Sequence, residues 1–205
     1  MRNAITKQSY ICAAASLTGH ASNVTGATWV IATPSALDDL AHPVTIRNDS
    51  VTDHSAKTAI LTGTDANDNA LTETMNLPGT SATVTSTKMF KTLSTVVPSA
   101  TIGADTMDIG WSAVAQSPWV GMDYQDVPFG ASVAVTKTGT INYDIEATLD
   151  PVLDGNAMAI KHSGVTGSTA NDADAYNFPV HGVRVNVNSH TSGTFIFYAI
   201  KGGNS

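Results

Sequence analysis

The sequence is poor in charge and in cysteine, and each shortage excludes a class of protein. Charged residues make up 13% of the chain, and ten basic against seventeen acidic residues give a formal net charge of −7. Because phosphate binding needs clustered lysines and arginines, the scattered basic residues argue against nucleic acid as a partner. Cys12 is the single cysteine, so no intramolecular disulfide can form.

Long apolar runs are also missing. No stretch of about 18 apolar residues occurs, so no membrane span is expected and no membrane partner is predicted. The N-terminal segment MRNAITKQSYICAAASLTG resembles a signal peptide only in part. Its apolar core covers residues 10 to 15, which is shorter than a secretory signal needs, so we expect the segment to be retained.

The residues that are abundant favour β-strands. Threonine, serine, alanine, glycine and valine dominate, and short strand patterns recur with turn residues between them. In residues 43 to 48, Val44 and Ile46 alternate with polar residues, as in a half-buried strand. Residues 35 to 41 give the best helix candidate, one or two turns long. The sequence therefore predicts an all-β fold with minimal helix: an antiparallel, jelly-roll-like β-sandwich.

Two hairpins are predicted in the second half of the chain. Residues 131 to 149 contain two strand patterns joined at Gly139, where a tight turn needs a positive φ. Residues 180 to 203 give the clearest pattern, two strands joined by SHTSG. Three alternating valines of its first strand are expected to pack inward against Ile196 and Tyr198 or their neighbours: Val183, Val185 and Val187.

The domain organisation follows from a small, polar segment at residues 112 to 118, after which strand patterns resume. We predict an N-terminal arm at residues 1 to 26, a first β domain at 27 to 114 and a second at 115 to 205. A single continuous sandwich is the alternative. No clean internal repeat of fixed period occurs.

The stretch GTDANDNALTE, residues 63 to 73, places oxygen side chains at alternate positions, as a calcium loop does. Counted from Asp65, a helix-loop-helix calcium site needs glycine at the sixth position and glutamate at the twelfth. Ala70 and Asn76 occupy those positions. Aspartate and asparagine also favour tight turns, so the stretch predicts a β-hairpin, and an irregular calcium site near Asp65 stays open.

No catalytic pattern is present, and the sequence predicts neither an enzyme nor a cofactor. Nucleophile elbows and phosphate-binding loops are absent, and Asp38 and Asp39 are expected to face water on the short helix. Six histidines without zinc-ligand spacing are expected at surfaces or hairpin ends: His20, His42, His54, His162, His181 and His190. Three tryptophans could form a sugar-binding platform, although Trp29 is expected in the core: Trp29, Trp111 and Trp119.

Three stretches resemble virion structural proteins of tailed bacteriophages. Residues 61 to 96 are similar to a pattern of the form TGTDxxGNxxTExxxLPG followed by KxFKTxxxV, with Asp68 where glycine is usual. Residues 137 to 151 and 178 to 203 are similar to two further patterns of such proteins, and Lys201 replaces a usual glutamine. The resemblance covers well over half of the chain and implies a virion component without naming a reaction.

The resemblance favours a capsid-associated decoration or cement protein that stabilises neighbouring capsid subunits. Neck, tail or baseplate proteins of the same virion are one alternative, and a carbohydrate-binding or adhesion module is another. The expected partners are the major capsid protein or other virion proteins, with self-association into a homo-oligomer and assembly in the host cytoplasm. Three apolar residues of the N-terminal segment are the predicted contact with the partner: Tyr10, Ile11 and Leu17.

Overall fold

The structure is a computed structural model that describes residues 5 to 122, 131 to 152 and 157 to 201. These residues form seventeen β-strands and no helix, which confirms the predicted all-β fold. The strands are β1 (Ile5–Ile11), β2 (Ser16–Val24), β3 (Trp29–Val30), β4 (His42–Asn48), β5 (Thr58–Thr64), β6 (Ala70–Asn76), β7 (Thr83–Phe90), β8 (Thr92–Pro98), β9 (Met107–Trp111), β10 (Ala115–Gln116), β11 (Val120–Gly121), β12 (Ala131–Lys137), β13 (Thr140–Thr148), β14 (Ile160–Lys161), β15 (Asp172–Tyr176), β16 (Gly182–Ser192) and β17 (Thr194–Lys201).

The helix predicted at residues 35 to 41 is wrong. Leu37 and Asp39 have φ values of 61° and 60°, in the left-handed region. A right-handed helix needs φ near −60° at every residue, so two left-handed residues two positions apart exclude it. Asp38, between them, is turned inward and is 8% exposed, so it does not face water as predicted.

The chain divides into two compact units, and the division differs from the predicted boundaries. One unit is the continuous segment Ala13–Ala115, and the other combines Met1–Cys12 with Gln116–Ser205. The segment predicted as an arm contributes β1 to the discontinuous unit and β2 to the continuous one. The reason is pairing, since β1 is hydrogen-bonded to β17 from Ile5 to Ile11. Residues 1 to 4 of the predicted arm lie outside the described residues.

The continuous unit is a sandwich of two four-stranded antiparallel sheets. Their strand orders are β2-β9-β4-β7 and β3-β8-β5-β6. Counted along this unit, the first sheet contains strands one, eight, three and six, and the second contains two, seven, four and five. This is the order of an eight-stranded jelly roll, one of the architectures that pair two antiparallel sheets.

The core of the continuous unit explains why these segments become strands. Val44 and Ile46, predicted to share one face of β4, are both fully buried, and Trp29 is 1% exposed as expected for a core residue. They pack with residues of both sheets in one hydrophobic cluster, which includes Leu61 and Ile109. Burying one such aliphatic side chain contributes about 1.5–3 kcal/mol, which favours the alternating strands over other conformations.

The discontinuous unit has the same strand order. One sheet is β1-β17-β12-β15, and in the other β10 and β11 both pair with β16, followed by β13 and β14. We count β10 and β11 together as the second strand of this unit. The first sheet then contains strands one, eight, three and six, and the second sheet contains strands two, seven, four and five, as in the continuous unit. The described residues therefore form two jelly rolls, and the continuous one is inserted between the first and second strands of the other.

One of the three predicted hairpins is confirmed and two are wrong. Strands β5 and β6 pair antiparallel from Thr58 opposite Asn76 to Thr64 opposite Ala70, so the stretch GTDANDNALTE is a hairpin loop. By contrast, β12 and β13 lie in different sheets, and so do β16 and β17. Both glycine turns are therefore arches that carry the chain from one sheet of the sandwich to the other.

The arch between β16 and β17 changes which residues face the core. The three valines of β16 are fully buried, as predicted. On β17 the buried residues are Phe195, Phe197 and Ala199, whereas Ile196 and Tyr198 are only partly buried. The prediction named Ile196 and Tyr198 or their neighbours, and it is the neighbours that face inward. Successive strand residues point to opposite faces, so the crossing to the other sheet decides which of the two sets is buried.

Candidate functional site

The predicted contact residues differ in exposure and belong to two units. Tyr10 is 5% exposed, its ring centroid lies 5.0 Å from that of Phe195, and its hydroxyl group donates a hydrogen bond of 2.9 Å to Gln8. Ile11 is 70% exposed and Leu17 is 41% exposed. Tyr10 is thus covered by its own unit, while Ile11 and Leu17 remain on the surfaces of different units.

Strand β1 presents an additional exposed apolar residue that was not among the predicted contacts. Along β1 the exposed side chains alternate, and Ile5 shares the outer face with Ile11 at 63% exposure. The inward-facing positions of β1 hold polar Thr6 and Gln8 together with Tyr10. Because two of these three residues are polar, the alternation of inward and outward residues cannot be recognised from hydrophobicity alone. In the described sheet β1 pairs only with β17, which leaves an edge that can pair with another chain.

The carboxylate of Asp65 is used within its own loop. It accepts hydrogen bonds from the backbone N–H groups of Asn67 and Asn69, at 2.8 and 2.9 Å, and from the Asn69 side-chain amide at 3.1 Å. Asp68, at φ 65°, takes the left-handed position and pairs with Lys91 at 2.9 Å. Among the described residues, no three histidine, cysteine or acidic side chains are grouped to hold a metal ion.

Glu73 connects the edge strands of the two sheets in the continuous unit. Its carboxylate accepts hydrogen bonds from the Thr87 N–H and hydroxyl groups, at 2.8 and 2.9 Å, and from the Lys88 N–H group at 2.8 Å. Lys88 returns a bond of 2.8 Å from its ammonium group to the carbonyl group of Thr72. These contacts occupy backbone groups of β7 that an exposed sheet edge would otherwise leave unpaired.

The strongest buried polar cluster contains Asp38 and His42. Their side chains meet at 2.8 Å between Oδ2 and Nε2, and both are almost fully buried. The His42 Nδ1 atom lies 3.0 and 2.9 Å from the carbonyl oxygens of Ser112 and Val114. Since both ring nitrogens face acceptors, both carry hydrogen and the pair is an imidazolium with a carboxylate. Neither nitrogen is left to act as a base.

This cluster joins the two ends of the inserted unit. The Asp38 carboxylate also accepts hydrogen bonds from the N–H groups of Ala13 and Leu40, at 2.9 and 3.1 Å. Burial favours the neutral acid, but the hydrogen bond and charge of His42 and the two N–H groups outweigh it and lower the pKa of Asp38. The arrangement is suited to holding the chain ends together.

The expectation that histidines lie at surfaces is wrong for most of them. Burial lowers the pKa of His20, although the carbonyl group of Thr33, at 2.7 Å from Nδ1, opposes this effect. His42 adds a repulsive charge that lowers the same pKa. Five of the six are less than 9% exposed: His20, His42, His54, His162 and His190.

The tryptophans do not form an open sugar-binding platform. The side chain of Trp111 stacks edge-on against His20 at 4.9 Å, and its Nε1–H group donates to the carbonyl group of Ala14 at 2.9 Å. The guanidinium group of Arg184 lies 4.0 Å from the ring centroid of Trp119 and covers one ring face. Trp29 belongs to the core, as expected, so the three tryptophans cannot form one exposed platform together.

Comparisons with known proteins leave the family open. No protein-family model matches the sequence, and no curated protein shows significant similarity to it. Among solved structures, the VP2 subviral particle of infectious bursal disease virus is similar over 98% of this chain and 73% of that chain, at 10% identity and a TM-score of 0.20. A TM-score this low assigns neither fold nor function. The described residues contain no helix with the length and apolarity of a membrane crossing.

Proposed function

We propose that this protein is a structural component of a tailed-phage virion, located on the capsid, where it stabilises neighbouring capsid subunits as a decoration protein. The observation that carries the proposal is the pair of eight-stranded jelly rolls in one chain. Jelly rolls are a recurrent building unit of viral capsids. The resemblance of residues 61 to 96, 137 to 151 and 178 to 203 to phage virion proteins points to the same role.

The chemistry of the buried clusters supports assembly and not catalysis. Both ring nitrogens of His42 are occupied, and the Asp65 carboxylate accepts three hydrogen bonds within its own loop. The formal net charge of −7 disfavours contact with nucleic acid, so the partners are other virion proteins and further copies of this chain. A single buried cysteine, Cys12, fits assembly in a reducing host cytoplasm.

The outer side of β1 is the contact surface that we assign to this assembly. Ile5 and Ile11 would be poorly solvated there, and an unpaired sheet edge lies beside them. A capsid subunit that covers both isoleucines would remove this apolar area from water. A neck, tail or baseplate protein would use the same kind of surface but at far lower copy number.

Charges on this surface should abolish attachment without unfolding the protein. Deleting the segment is unsuitable because β1 is a strand of the sheet, so we choose the double variant Ile5→Asp with Ile11→Asp. We expect at least about tenfold weaker binding to capsids that lack the native protein, since each carboxylate would be desolvated at the contact. Co-sedimentation with such capsids measures the loss.

The matched control is Val51→Asp, which places the same charge at a side chain that is 85% exposed outside the strands. It should bind like the unchanged protein. Equal binding by the double variant and the control would exclude β1 as the contact. Failure of the unchanged protein to bind these capsids would contradict the decoration role itself.

A further inference from the structure

An open cleft of about 450 Å³ lies in the discontinuous unit, beside the edge strands of its two sheets. Residues 160 to 164, which include β14 and the following turn, form one side. Residues 174 to 178, which include the end of β15, form the other. The volume is in the range of pockets that hold small molecules, and the lining combines aromatic rings with a few polar groups.

The aromatic part of the cleft is a series of three rings. The ring centroids of His162 and Tyr176 are 4.5 Å apart, those of Tyr176 and Phe178 are 5.7 Å apart, and both pairs are edge-on. Tyr176 is 4% exposed, whereas Phe178 is 48% exposed. The buried rings therefore fix the position of Phe178 and leave about half of its surface open to a ligand.

Tyr176 lines the cleft with its ring, and its hydroxyl group is buried. Within the described residues, the Tyr176 hydroxyl oxygen has no hydrogen-bond partner although it is shielded from solvent. Burial raises the pKa of Tyr176 far above its usual value, and the charges of Glu146 and Asp174 raise it further, so the group remains a neutral donor. Because this hydroxyl group is shielded from solvent, the polar contacts open to a ligand come from other residues of the cleft.

The polar part of the cleft is centred on Asp174. Its Oδ1 atom accepts a hydrogen bond of 2.8 Å from the N–H group of Ala175, and its side chain is 42% exposed. The Oδ2 atom lies directly over Gly164, where a Cβ atom would come within 2.2 Å. The glycine thus makes room for the carboxylate, which keeps an accessible oxygen at the cleft.

The charge of Asp174 is not neutralised by its neighbours in the cleft. His162 Nδ1 is 3.6 Å from Asp174, but it accepts a hydrogen bond of 3.1 Å from the N–H group of Gly164. Its Nε2 atom lies 3.3 Å from the carbonyl oxygen of Ala175, so the ring is the neutral tautomer with hydrogen on Nε2. The ammonium group of Lys161 is engaged by Asp144 at 2.5 Å.

A neutral pyranose sugar matches these groups. The C–H face of a pyranose carries partial positive charge and packs on an aromatic face such as that of Phe178. Ring hydroxyl groups donate strong, charge-assisted hydrogen bonds to a carboxylate such as Asp174. Asn177, which also lines the cleft, supplies both donors and acceptors for the remaining hydroxyls.

We propose that the cleft between β14 and β15 binds a neutral pyranose sugar, with Phe178 as the stacking surface and Asp174 as the acceptor for its hydroxyl groups. The inference does not depend on the decoration role, because it rests on a different surface of the discontinuous unit and on groups that the assembly contact does not use. In a virion protein the site would attach the particle to cell-surface or environmental polysaccharide.

Saturation-transfer NMR on the full chain tests the proposal with three methyl glycosides, those of glucose, galactose and N-acetylglucosamine, each at about 5 mM, in the range where weak single-site sugar binding is detectable. Choline serves as a cationic probe. We expect transfer to the ring C–H protons of at least one glycoside. Phe178→Ala and Asp174→Asn should each weaken binding by about tenfold or more, because each removes one of the two principal contacts.

Two controls keep the outcome decisive. Leu149→Ala removes a similarly exposed apolar side chain outside the cleft and should bind like the unchanged protein. Phe178→Leu preserves apolar area without an aromatic face, so it should also lose binding while its circular dichroism is unchanged. Absence of transfer to all three glycosides, transfer to choline alone, or equal binding by the cleft variants and the control would each overturn the proposal.

Discussion

At the scale of single residues, the ion pair between Asp38 and His42 makes the stability of the inserted unit depend on pH. The pKa of Asp38 is lower in the folded chain than the ordinary value of 3.8. Its ionisation therefore contributes stability that is fully present above about pH 4 and is lost as the pH falls through the lowered pKa. Asp38→Asn should remove this contribution and cost about 3 kcal/mol at pH 7, as expected for breaking a buried pair.

Chemical denaturation between about pH 7 and pH 2 measures the effect, since this range spans the ionised and the protonated carboxyl group. The difference in the free energy of unfolding between the unchanged protein and Asp38→Asn should shrink toward the acid end. Asp39→Asn is the matched control, because Asp39 is the adjacent exposed carboxylate in a left-handed conformation that asparagine also tolerates. Equal costs for the two variants would exclude the buried pair as the cause.

The two aspartates also show why the site residues were hard to predict. Asp38 and Asp39 are chemically identical neighbours, and the local pattern placed both on a solvated helix. Burial of Asp38 depends on His42 and on the N–H group of Ala13, which is 25 residues away. A contact between residues far apart in the sequence produces no periodic pattern of apolar residues. The core face of β4 could be predicted because it depends only on the local alternation of apolar and polar residues.

At the scale of elements, the two glycine arches of the discontinuous unit lie against each other. A Cβ atom on Gly139 would come within 2.4 Å of the Ser192 carbonyl oxygen, and one on Gly193 within 2.1 Å of that of Thr138. The Thr138 N–H group donates to the Thr194 carbonyl oxygen at 2.9 Å, which joins the arches directly. Both sheets are therefore linked at one corner where only glycine fits.

Gly193→Ala should destabilise the protein by more than the cost of placing alanine at a positive φ, because the added Cβ atom would also clash with the facing arch. Gly103→Ala is the matched control, because Gly103 has φ 73° and nothing within 4 Å of an added Cβ atom. We expect a cost of about 1 kcal/mol at Gly103 and at least about 3 kcal/mol at Gly193, where the backbone must move. Similar shifts in the urea midpoint for both variants would show that the arches are not in contact.

The strands themselves could be predicted, but their pairing could not. Alternation identified the valines of β16, and the aspartate-rich loop after β5 identified a true hairpin. A short glycine turn is compatible with both a hairpin and an arch, since each needs a positive φ. Only the sandwich as a whole decides between them, because β16 and β17 bury their apolar faces in one core from opposite sheets.

At the scale of the whole molecule, the sequence of one jelly roll is inserted into the sequence of a second jelly roll that has the same strand order. The division after Ala115 falls within the polar segment 112 to 118 that the sequence singled out. The division after Cys12 had no such signal, because β1 and its partner β17 are separated by most of the chain. Sequence patterns mark the end of a compact segment more readily than they mark a discontinuous unit.

A structural role in the virion is the central proposal for this protein, and the copy number per particle tests that role most directly. Quantitative mass spectrometry of purified virions gives the ratio of this chain to the major capsid protein. A capsid decoration protein repeats with the capsid symmetry, so we expect copies on the order of hundreds per particle. A few copies to a few dozen would place the chain at the neck or tail, and its absence from purified particles would contradict the account.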